Sequence, residues 1–204
     1  MNKKNEGKVF EQNYEESVKK TEYFFLRLKD TAKWLRGSNS SFTPKNPCDG
    51  IQFTSPFLWL IELKSTKNTS ISFNLNRNSE NKGRMIKAHQ IDALSKFALK
   101  DSLIPGFIFN FRAKRSKKKI YFDDTYFVHI KDFMEWSKST KRSSISRTEC
   151  ELIGIKIDSQ LKKVHHTYDI ERFVKEAIQN YVQKEYISLK KIKNYIVYLE
   201  GLIG

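Results

Sequence analysis

The chain has 204 residues, of which 39% are hydrophobic and 13% aromatic, so it can bury a core and is not disordered over most of its length. Lysine and arginine outnumber aspartate and glutamate by 38 to 23, which gives a formal net charge of +15. This excess predicts a polyanionic partner, either nucleic acid or an anionic membrane surface. The length suits one domain, with at most an appended element.

Several classes of protein are disfavoured by what the sequence lacks. No apolar run approaches the roughly 20 residues of a membrane-spanning helix. The N-terminus, MNKKNEG, does not begin a secretory signal. Cys48 and Cys150 are far apart and the histidines are scattered, so neither a disulfide framework nor a zinc cluster is predicted. We expect a soluble, cytoplasmic protein that does not bind a membrane and has no small-molecule cofactor.

The apolar pattern predicts an α/β domain followed by a helical tail. In the N-terminal half it indicates a helix over 8–30, a loop over 36–47, strands near 49–54 and 57–64, a polar loop over 65–83 with at most a short extended piece, and a helix near 84–100. In the C-terminal half it indicates strands over 107–111 and 120–128, a short helix near 130–138, a strand over 151–157, and a helical region from 168 to 201 that is broken around 186–188.

A charged pair ends the apolar strand predicted at 57–64. Glu62 and Lys64 are one residue apart, so they share a face of the strand. Asp49 lies thirteen positions before Glu62, and the Gly, Ser and Pro between them allow a turn that brings Asp49 back beside the pair. Two carboxylates and an amine at one sheet edge are typical of a hard-cation site beside a phosphate. The alternative is an exposed cross-strand ion pair.

Each of these three side chains has a role if the site hydrolyses a phosphodiester. Asp49 and Glu62 would supply anionic oxygen ligands for Mg²⁺, with Mn²⁺ as an expected substitute. Lys64 would orient or deprotonate the attacking water and offset developing negative charge. Its other possible role is simply to neutralise Glu62.

Two more polar residues lie beside predicted apolar stripes. Gln90 falls on the core-facing stripe of the second helix, where a buried amide needs hydrogen-bond partners. It either faces the site or is satisfied elsewhere in the core. Glu11, beside the stripe of the first helix, either reaches the metal, directly or through water, or remains a solvated carboxylate.

Cations cluster at two places before the tail. Six of eight residues between the strands at 107–111 and 120–128 are cationic: Arg112, Lys114, Arg115, Lys117, Lys118 and Lys119. We expect this segment to be the tip of a hairpin that grips DNA phosphates, with a solvated turn as the alternative. The second cluster, which would add phosphate contacts, consists of Lys138, Lys141, Arg142 and Arg147.

Taken together, these residues resemble the RecU family of Holliday-junction resolvases, Mg²⁺-dependent nucleases of the PD-(D/E)xK type. The matching pieces are Asn5-Glu6-Gly7 with Phe10-Glu11, Cys48-Asp49-Gly50, Ile61-Glu62-Leu63-Lys64, Ala88-His89-Gln90, Gly106-Phe107-Ile108-Phe109, Arg142-Ser143-Ser144-Ile145 and Tyr168-Asp169-Ile170. The resemblance implies a restriction-endonuclease-like α/β core, in which a central mixed β-sheet is flanked by helices. It implies a nuclease domain over 1–180. Residues 181–204 have no counterpart in the family, and their apolar pattern predicts a C-terminal helical extension.

The resemblance also implies an activity. Asp49, Glu62 and Lys64 would be catalytic, supported by Glu11 and Gln90. The protein would be a homodimer that nicks four-way DNA junctions in symmetric pairs, in a bacterial cell or encoded by a phage. The exposed apolar residues for a dimer interface are expected on the first helix, at Phe24, Phe25 and Leu28, and on its neighbouring strands, rather than in the tail.

Two other functions stay open at this point. The segment before Asp49 is shorter than in bacterial members of the family, where an insertion enters the junction centre. A restriction-like nuclease that cuts duplex or branched DNA without junction preference is therefore one alternative. The other is a DNA-binding protein without catalysis.

Overall fold

The computed structural model of the protein describes residues 5–28, 46–76, 83–115, 120–163, 165–189 and 193. The helices are α1 (Glu6–Val18), α2 (Ala88–Phe97), α3 (Ile130–Thr140), α4 (Arg147–Ile153) and α5 (Ile170–Gln183). The strands are β1 (Phe24–Arg27), β2 (Gly50–Thr54), β3 (Phe57–Thr66), β4 (Ser70–Ser72), β5 (Leu103–Phe111), β6 (Lys114–Arg115), β7 (Ile120–Tyr121), β8 (Asp124–His129), β9 (Ser144–Ser146), β10 (Ile155–Lys156), β11 (Ser159–Lys162) and β12 (His165–Tyr168).

A six-stranded sheet in the order β1-β2-β3-β5-β8-β10 forms the centre of the molecule. Strands β3 and β5 are parallel, and the other neighbouring pairs are antiparallel. Helices cover both faces of this sheet. The central strands carry apolar side chains on both faces, so each face is buried against helices. The predicted fold class, a central mixed sheet flanked by helices, is confirmed.

The alternation along β3 divides the core into two layers. Trp59, Ile61 and Leu63 face one layer, in which α1 and α5 pack on the sheet. Leu60 faces the other layer, which contains α2, α3 and α4. Glu62 is two residues from Leu60, so this carboxylate points into the layer of α2.

The predicted helix over residues 8–30 is wrong in its second half. Helix α1 ends at Val18, and Phe24–Arg27 forms strand β1, which pairs antiparallel with β2. The aromatic run that starts at Tyr23 suits a pleated strand, and pairing with the edge of β2 overrides its helical spacing. Phe24, Phe25 and Leu28 therefore lie in or directly after an edge strand and not on the first helix.

The second predicted helix is shorter than expected. Ile86 forms a parallel bridge with Phe73, so α2 begins only at Ala88. Its buried stripe contains Ile91 and Leu94, whereas Gln90 is half-buried in the first turn. The extended piece allowed within the polar loop is β4, which pairs with β9.

The strand predicted over 151–157 is mostly wrong. The hydroxyl of Ser146 and the carboxylate of Glu149 form a capping box that starts helix α4 at Arg147, and the helix runs to Ile153. Only Ile155–Lys156 is a strand. The short helix expected near 130–138 is α3, and the hairpin of β11 and β12 was not predicted.

The C-terminal helix begins at Ile170, and Glu185 follows it in a left-handed conformation (φ 56°), consistent with a break before 186–188. Beyond Leu189 only Lys193 is described, so the predicted tail lies almost entirely outside the described residues. Cys48 and Cys150 are buried free thiols. No helix in the described ranges combines the length and apolar character needed to cross a membrane.

Candidate active site

One corner of the central sheet is left open by the difference in length between β2 and β3. Gly50 at the start of β2 pairs with Ile61, so β3 from Glu62 onward has β5 on one side and, among the described residues, no strand on the other. Asp49 immediately precedes β2, and its Oδ2 accepts a hydrogen bond of 2.8 Å from the backbone N–H of Leu63. The Asp49 carboxylate thus accepts the hydrogen bond that a backbone carbonyl of a neighbouring strand would otherwise accept from this N–H.

The three residues predicted to act together meet at this corner. Lys64 Nζ donates to Glu62 Oε1 and lies 3.7 Å from Asp49 Oδ2. The Glu62 side chain is only 1% exposed, whereas that of Asp49 is 33% exposed. Glu62 therefore lies at the bottom of the site and Asp49 at its solvent side.

Burial and charge perturb both members of the Glu62–Lys64 pair. Burial raises the pKa of Glu62 to about 7, with Lys64 opposing the shift and Asp49 adding to it. Burial alone would lower the pKa of Lys64, but the carboxylates of Glu62 and Asp49 outweigh it and raise that pKa. Lys64 thus keeps its proton beside these carboxylates, which favours the offsetting of negative charge over the deprotonation of water.

Gln90 reaches the site from α2. Its Nε2 donates to Glu62 Oε1, and its own Oε1 accepts a 2.9 Å hydrogen bond from the backbone N–H of Lys87. The first turn of α2 thereby fixes the amide against the sheet. Gln90 therefore faces the site through Glu62 and is not satisfied elsewhere in the core, the other position that the sequence left open.

Glu11 and Arg27 complete the surroundings of the corner. The guanidinium of Arg27, at the end of β1, donates to the Glu11 carboxylate. Burial raises the pKa of Glu11, Arg27 opposes that shift, and the charges of Asp49 and Lys64 also act on it. Arg27 was missed because its segment was assigned to the first helix; the aromatic run before it was the available signal.

These five residues, Glu11, Arg27, Asp49, Glu62 and Lys64, are called the acidic corner here. When all five are ionised, its three carboxylates exceed its two cations by one charge, in a chain with a net charge of +15. In the described ranges, no group of three or more His, Cys, Asp and Glu side chains is placed to hold a metal ion. Asp49 and Glu62 still fit Mg²⁺, which binds through one or two carboxylates and keeps several waters.

A comparison with known sequences identifies a related protein. No family model matches the chain. The chain is 35% identical over 191 residues to the "SPbeta prophage-derived uncharacterized protein YotM" of Bacillus subtilis (strain 168). The aligned region covers 88% of this chain and 90% of YotM. The chain belongs to the family of YotM.

A solved structure gives a more distant similarity. It is the 1.6 Å structure of Archaeoglobus fulgidus Hjc, described as a Holliday junction resolvase from an archaeal hyperthermophile. The TM-score is 0.45 and the sequence identity 15%, over 74% of this chain and 95% of Hjc.

In this member of the YotM family, the structure describes the base of the predicted basic hairpin. Lys114 and Arg115 form β6 and are exposed, and β6 pairs antiparallel with β7. The backbone N–H of Arg112 donates to the carbonyl of Thr66 (2.8 Å), so the hairpin leaves the sheet at the end where β3 passes the acidic corner. Lys117, Lys118 and Lys119 lie outside the described residues.

The other predicted phosphate-binding cations differ in what they contact. Arg112 Nη1 lies 3.5 Å from Glu6 Oε2, and Arg142 Nη1 lies 2.6 Å from Glu149 Oε1. Lys141, at the C-cap of α3, is exposed. Lys114, Arg115 and Lys141 therefore point to solvent, whereas the two arginines already neutralise carboxylates.

Proposed function

We propose that the protein is an Mg²⁺-dependent DNA endonuclease whose active site is the acidic corner. The observation that carries the proposal is the convergence of Asp49, Glu62 and Lys64 at a sheet edge, with two carboxylates sharing one ammonium. Burial raises the pKa of Glu62, and the nearby carboxylate of Asp49 adds to that shift, so the two carboxylates repel each other when both are ionised. A divalent cation would relieve that repulsion.

Each residue of the site has a distinct role in this proposal. Asp49 and Glu62 hold Mg²⁺, which when bound polarises a phosphate oxygen and lowers the pKa of a bound water. Lys64 keeps its proton and stabilises the negative charge that develops on the phosphate. Gln90 fixes the orientation of Glu62, to which it donates.

Arg27 has a supporting role. It holds Glu11 beside Asp49 by donating to the Glu11 carboxylate. Glu11 would then accept a hydrogen bond from a water in the corner. Because Arg27 balances its charge, Glu11 adds an acceptor without adding to the net negative charge of the site.

The charge distribution supports DNA as the substrate. The net charge of +15 supplies long-range attraction to a polyanion. The exposed cations of β6 extend from the same end of the sheet as the acidic corner. Phosphates bound there would follow the sheet toward the catalytic residues.

The preferred substrate is the four-way junction, cut by a homodimer. The resemblance to the RecU family supports this preference. Two coordinated nicks need two active sites, hence two copies related by a twofold axis. The surface for the second copy is the exposed apolar face of β1 and β2, where Phe24 pairs with Phe53 and Leu26 lies beside them.

The prophage origin in YotM's name supports a phage-encoded protein that acts in the cytoplasm of a bacterial host.

The test compares a labelled four-way junction with a linear duplex of identical sequence, each with Mg²⁺ and with chelator. We expect Mg²⁺-dependent paired nicks in the junction, and Asp49→Asn is the matched control for a contaminating nuclease. Equal cleavage of both DNAs would favour the restriction-like alternative, and binding without cleavage would favour the non-catalytic one. A mass near 24 kDa by light scattering, unchanged on adding junction DNA, would contradict paired nicking.

A further inference from the structure

The base of the basic hairpin carries an exposed aromatic side chain that the proposed chemistry does not use. Phe122, directly after β7, is 74% exposed, and Ile120 is 57% exposed. Lys114 and Arg115, on the paired strand, are exposed beside them. Single exposed apolar residues are ordinary at protein surfaces, so Phe122 gains meaning only from how it is held.

Arg147 fixes the backbone of Phe122 from one side. Its Nη1 donates to the Phe122 carbonyl (2.7 Å) and to Asp124 Oδ2 (2.6 Å), and its Nη2 donates to the carbonyl of Phe111 (3.0 Å). The guanidinium also lies over the rings of Phe111 and Tyr121, at 5.6 and 5.5 Å. Arg147 therefore joins the two strands at the base of the hairpin and is not available for phosphate, contrary to the sequence-based expectation.

Asp123 fixes the chain on the next residue. Its Oδ1 accepts a 2.7 Å hydrogen bond from the Nδ2 of Asn110, a buried side chain one residue before the end of β5. It also accepts a hydrogen bond from the backbone of Ala113, which precedes β6. Phe122 is thus displayed by a backbone held on both sides, and its ring stays in water because of that anchoring.

This combination of rigidity, aromatic surface and positive charge fits one kind of ligand. The cations suit phosphates, and the ring suits the flat face of a nucleobase. Bases in a continuous duplex are stacked on each other and do not offer that face, whereas bases at a branch point or in an unpaired stretch do.

We propose that Phe122 stacks on an exposed base, so that the hairpin selects DNA in which base stacking is interrupted. The proposal rests on the proposed function and names the substrate class of that site. The hairpin begins where Arg112 bonds to Thr66, two residues along β3 from Lys64. An unstacked base at Phe122 would therefore present the adjoining backbone to the same end of the sheet as the acidic corner.

The test measures binding by fluorescence anisotropy in chelator, so that cleavage does not interfere. The probes are a four-way junction, a duplex with an unpaired bubble and a fully paired duplex of matched sequence. Phe122→Ala is compared with Phe122→Trp, which keeps an aromatic face, and with Leu99→Ala, a control at a similarly exposed apolar residue (80%) on another part of the surface.

We expect Phe122→Ala to weaken binding to junction and bubble by about tenfold, the effect of losing one base–aromatic stack. Duplex affinity and the slope of affinity against salt should stay as in the wild type, because no phosphate contact is lost. Phe122→Trp should retain binding to all three probes, and Leu99→Ala should bind as the wild type does. A 2-aminopurine placed at the branch point should change its fluorescence on adding the wild type but not Phe122→Ala.

Several outcomes would overturn the stacking role. One is equal weakening on duplex and junction, and another is no weakening on either. A third is a halved mass of Phe122→Ala by light scattering, which would make this surface an interface between copies of the chain. Failure of the proposed function would give a different result. A wild type that binds junctions through Phe122 but never cleaves them would contradict the nuclease proposal and still support base stacking by Phe122.

Discussion

Two groups of charged residues in this protein, each built around a buried carboxylate, differ in how well their charges are balanced. At the acidic corner, Asp49 and Glu62 share the single ammonium of Lys64. Between α3 and α5, Asp132 Oδ1 accepts from Lys184 Nζ (2.8 Å) and from the Tyr186 hydroxyl (2.9 Å). The second group, with His129 beside it, is called the α3–α5 cluster; it pairs one carboxylate with one ammonium.

The neighbouring histidine shows the same tendency toward neutrality. His129 is buried between the rings of Tyr181 and Tyr186, at 4.9 and 4.8 Å, and its Nδ1 accepts from the backbone N–H of Lys131. Burial, with Lys131 and Lys184 nearby, lowers its pKa to about 3. The α3–α5 cluster is thus neutral and joins helices, whereas the acidic corner keeps an unbalanced charge of the kind that suits a bound cation.

The largest expected effect is the loss of cleavage on neutralising the corner. Asp49→Asn or Glu62→Gln should slow cleavage on the order of 1,000-fold, since a metal ion contributes several kcal/mol to the transition state. Junction affinity should change little, because it comes mainly from cations elsewhere. Cleavage assays paired with anisotropy measure both; a near wild-type cleavage rate in either variant would remove the corner from the mechanism.

Removing the ammonium should have the next largest effect. Lys64→Ala should slow cleavage about 100-fold, the lower end of what one group that stabilises transition-state charge contributes. Metal binding should persist, because the amine is not a ligand. Lys64→Arg is the control that keeps the charge without the compact ammonium. Unchanged turnover in the alanine variant would leave Lys64 as a neutraliser of Glu62.

The α3–α5 cluster should give the opposite result. Asp132→Asn should lower the free energy of unfolding by about 1–3 kcal/mol, since it weakens two hydrogen bonds to a buried carboxylate. The cleavage rate per folded molecule should stay the same. Urea unfolding and active-site titration measure the two quantities, and a cleavage defect without destabilisation would erase the distinction between the clusters.

The acidic corner could be predicted largely from sequence because its key relations are local. Strand alternation sets Glu62 beside Lys64, and one turn brings Asp49 back to them. The contribution of Arg27 could not be found once Phe24–Arg27 was assigned to a helix, because pairing with β2 is a long-range contact. The α3–α5 cluster was missed for the same reason: Asp132 and Lys184 are 52 residues apart and meet only through packing.

The two groups should also respond to pH in opposite directions when no metal is present. The pKa of Glu62 is raised from 4.5 to about 7, so its contribution to stability is present below 4.5 and is lost as pH rises through 7. The pKa of His129 is lowered from 6.5 to about 3, so its contribution is present above 6.5 and is lost as pH falls toward 3. Each changes the free energy of unfolding by up to about 1.4 kcal/mol per pH unit.

Denaturant unfolding in chelator across this pH range measures the contrast. Relative to wild type, Glu62→Gln should gain stability as pH rises from 5 to 7. His129→Asn, which keeps an N-cap acceptor, should gain relative stability as pH falls from 6 to 4. Curves that run parallel to that of the wild type would show that neither group is perturbed by folding.

The most direct test of the central claim is a Mn²⁺ titration followed by electron paramagnetic resonance, with Mn²⁺ as the probe for the Mg²⁺ site. The wild type should bind one ion per chain at the acidic corner, and Asp49→Asn and Glu62→Gln should lose that ion. Asp132→Asn should keep it, because its carboxylate is already paired. Equal Mn²⁺ binding by the wild type and both corner variants would contradict the account.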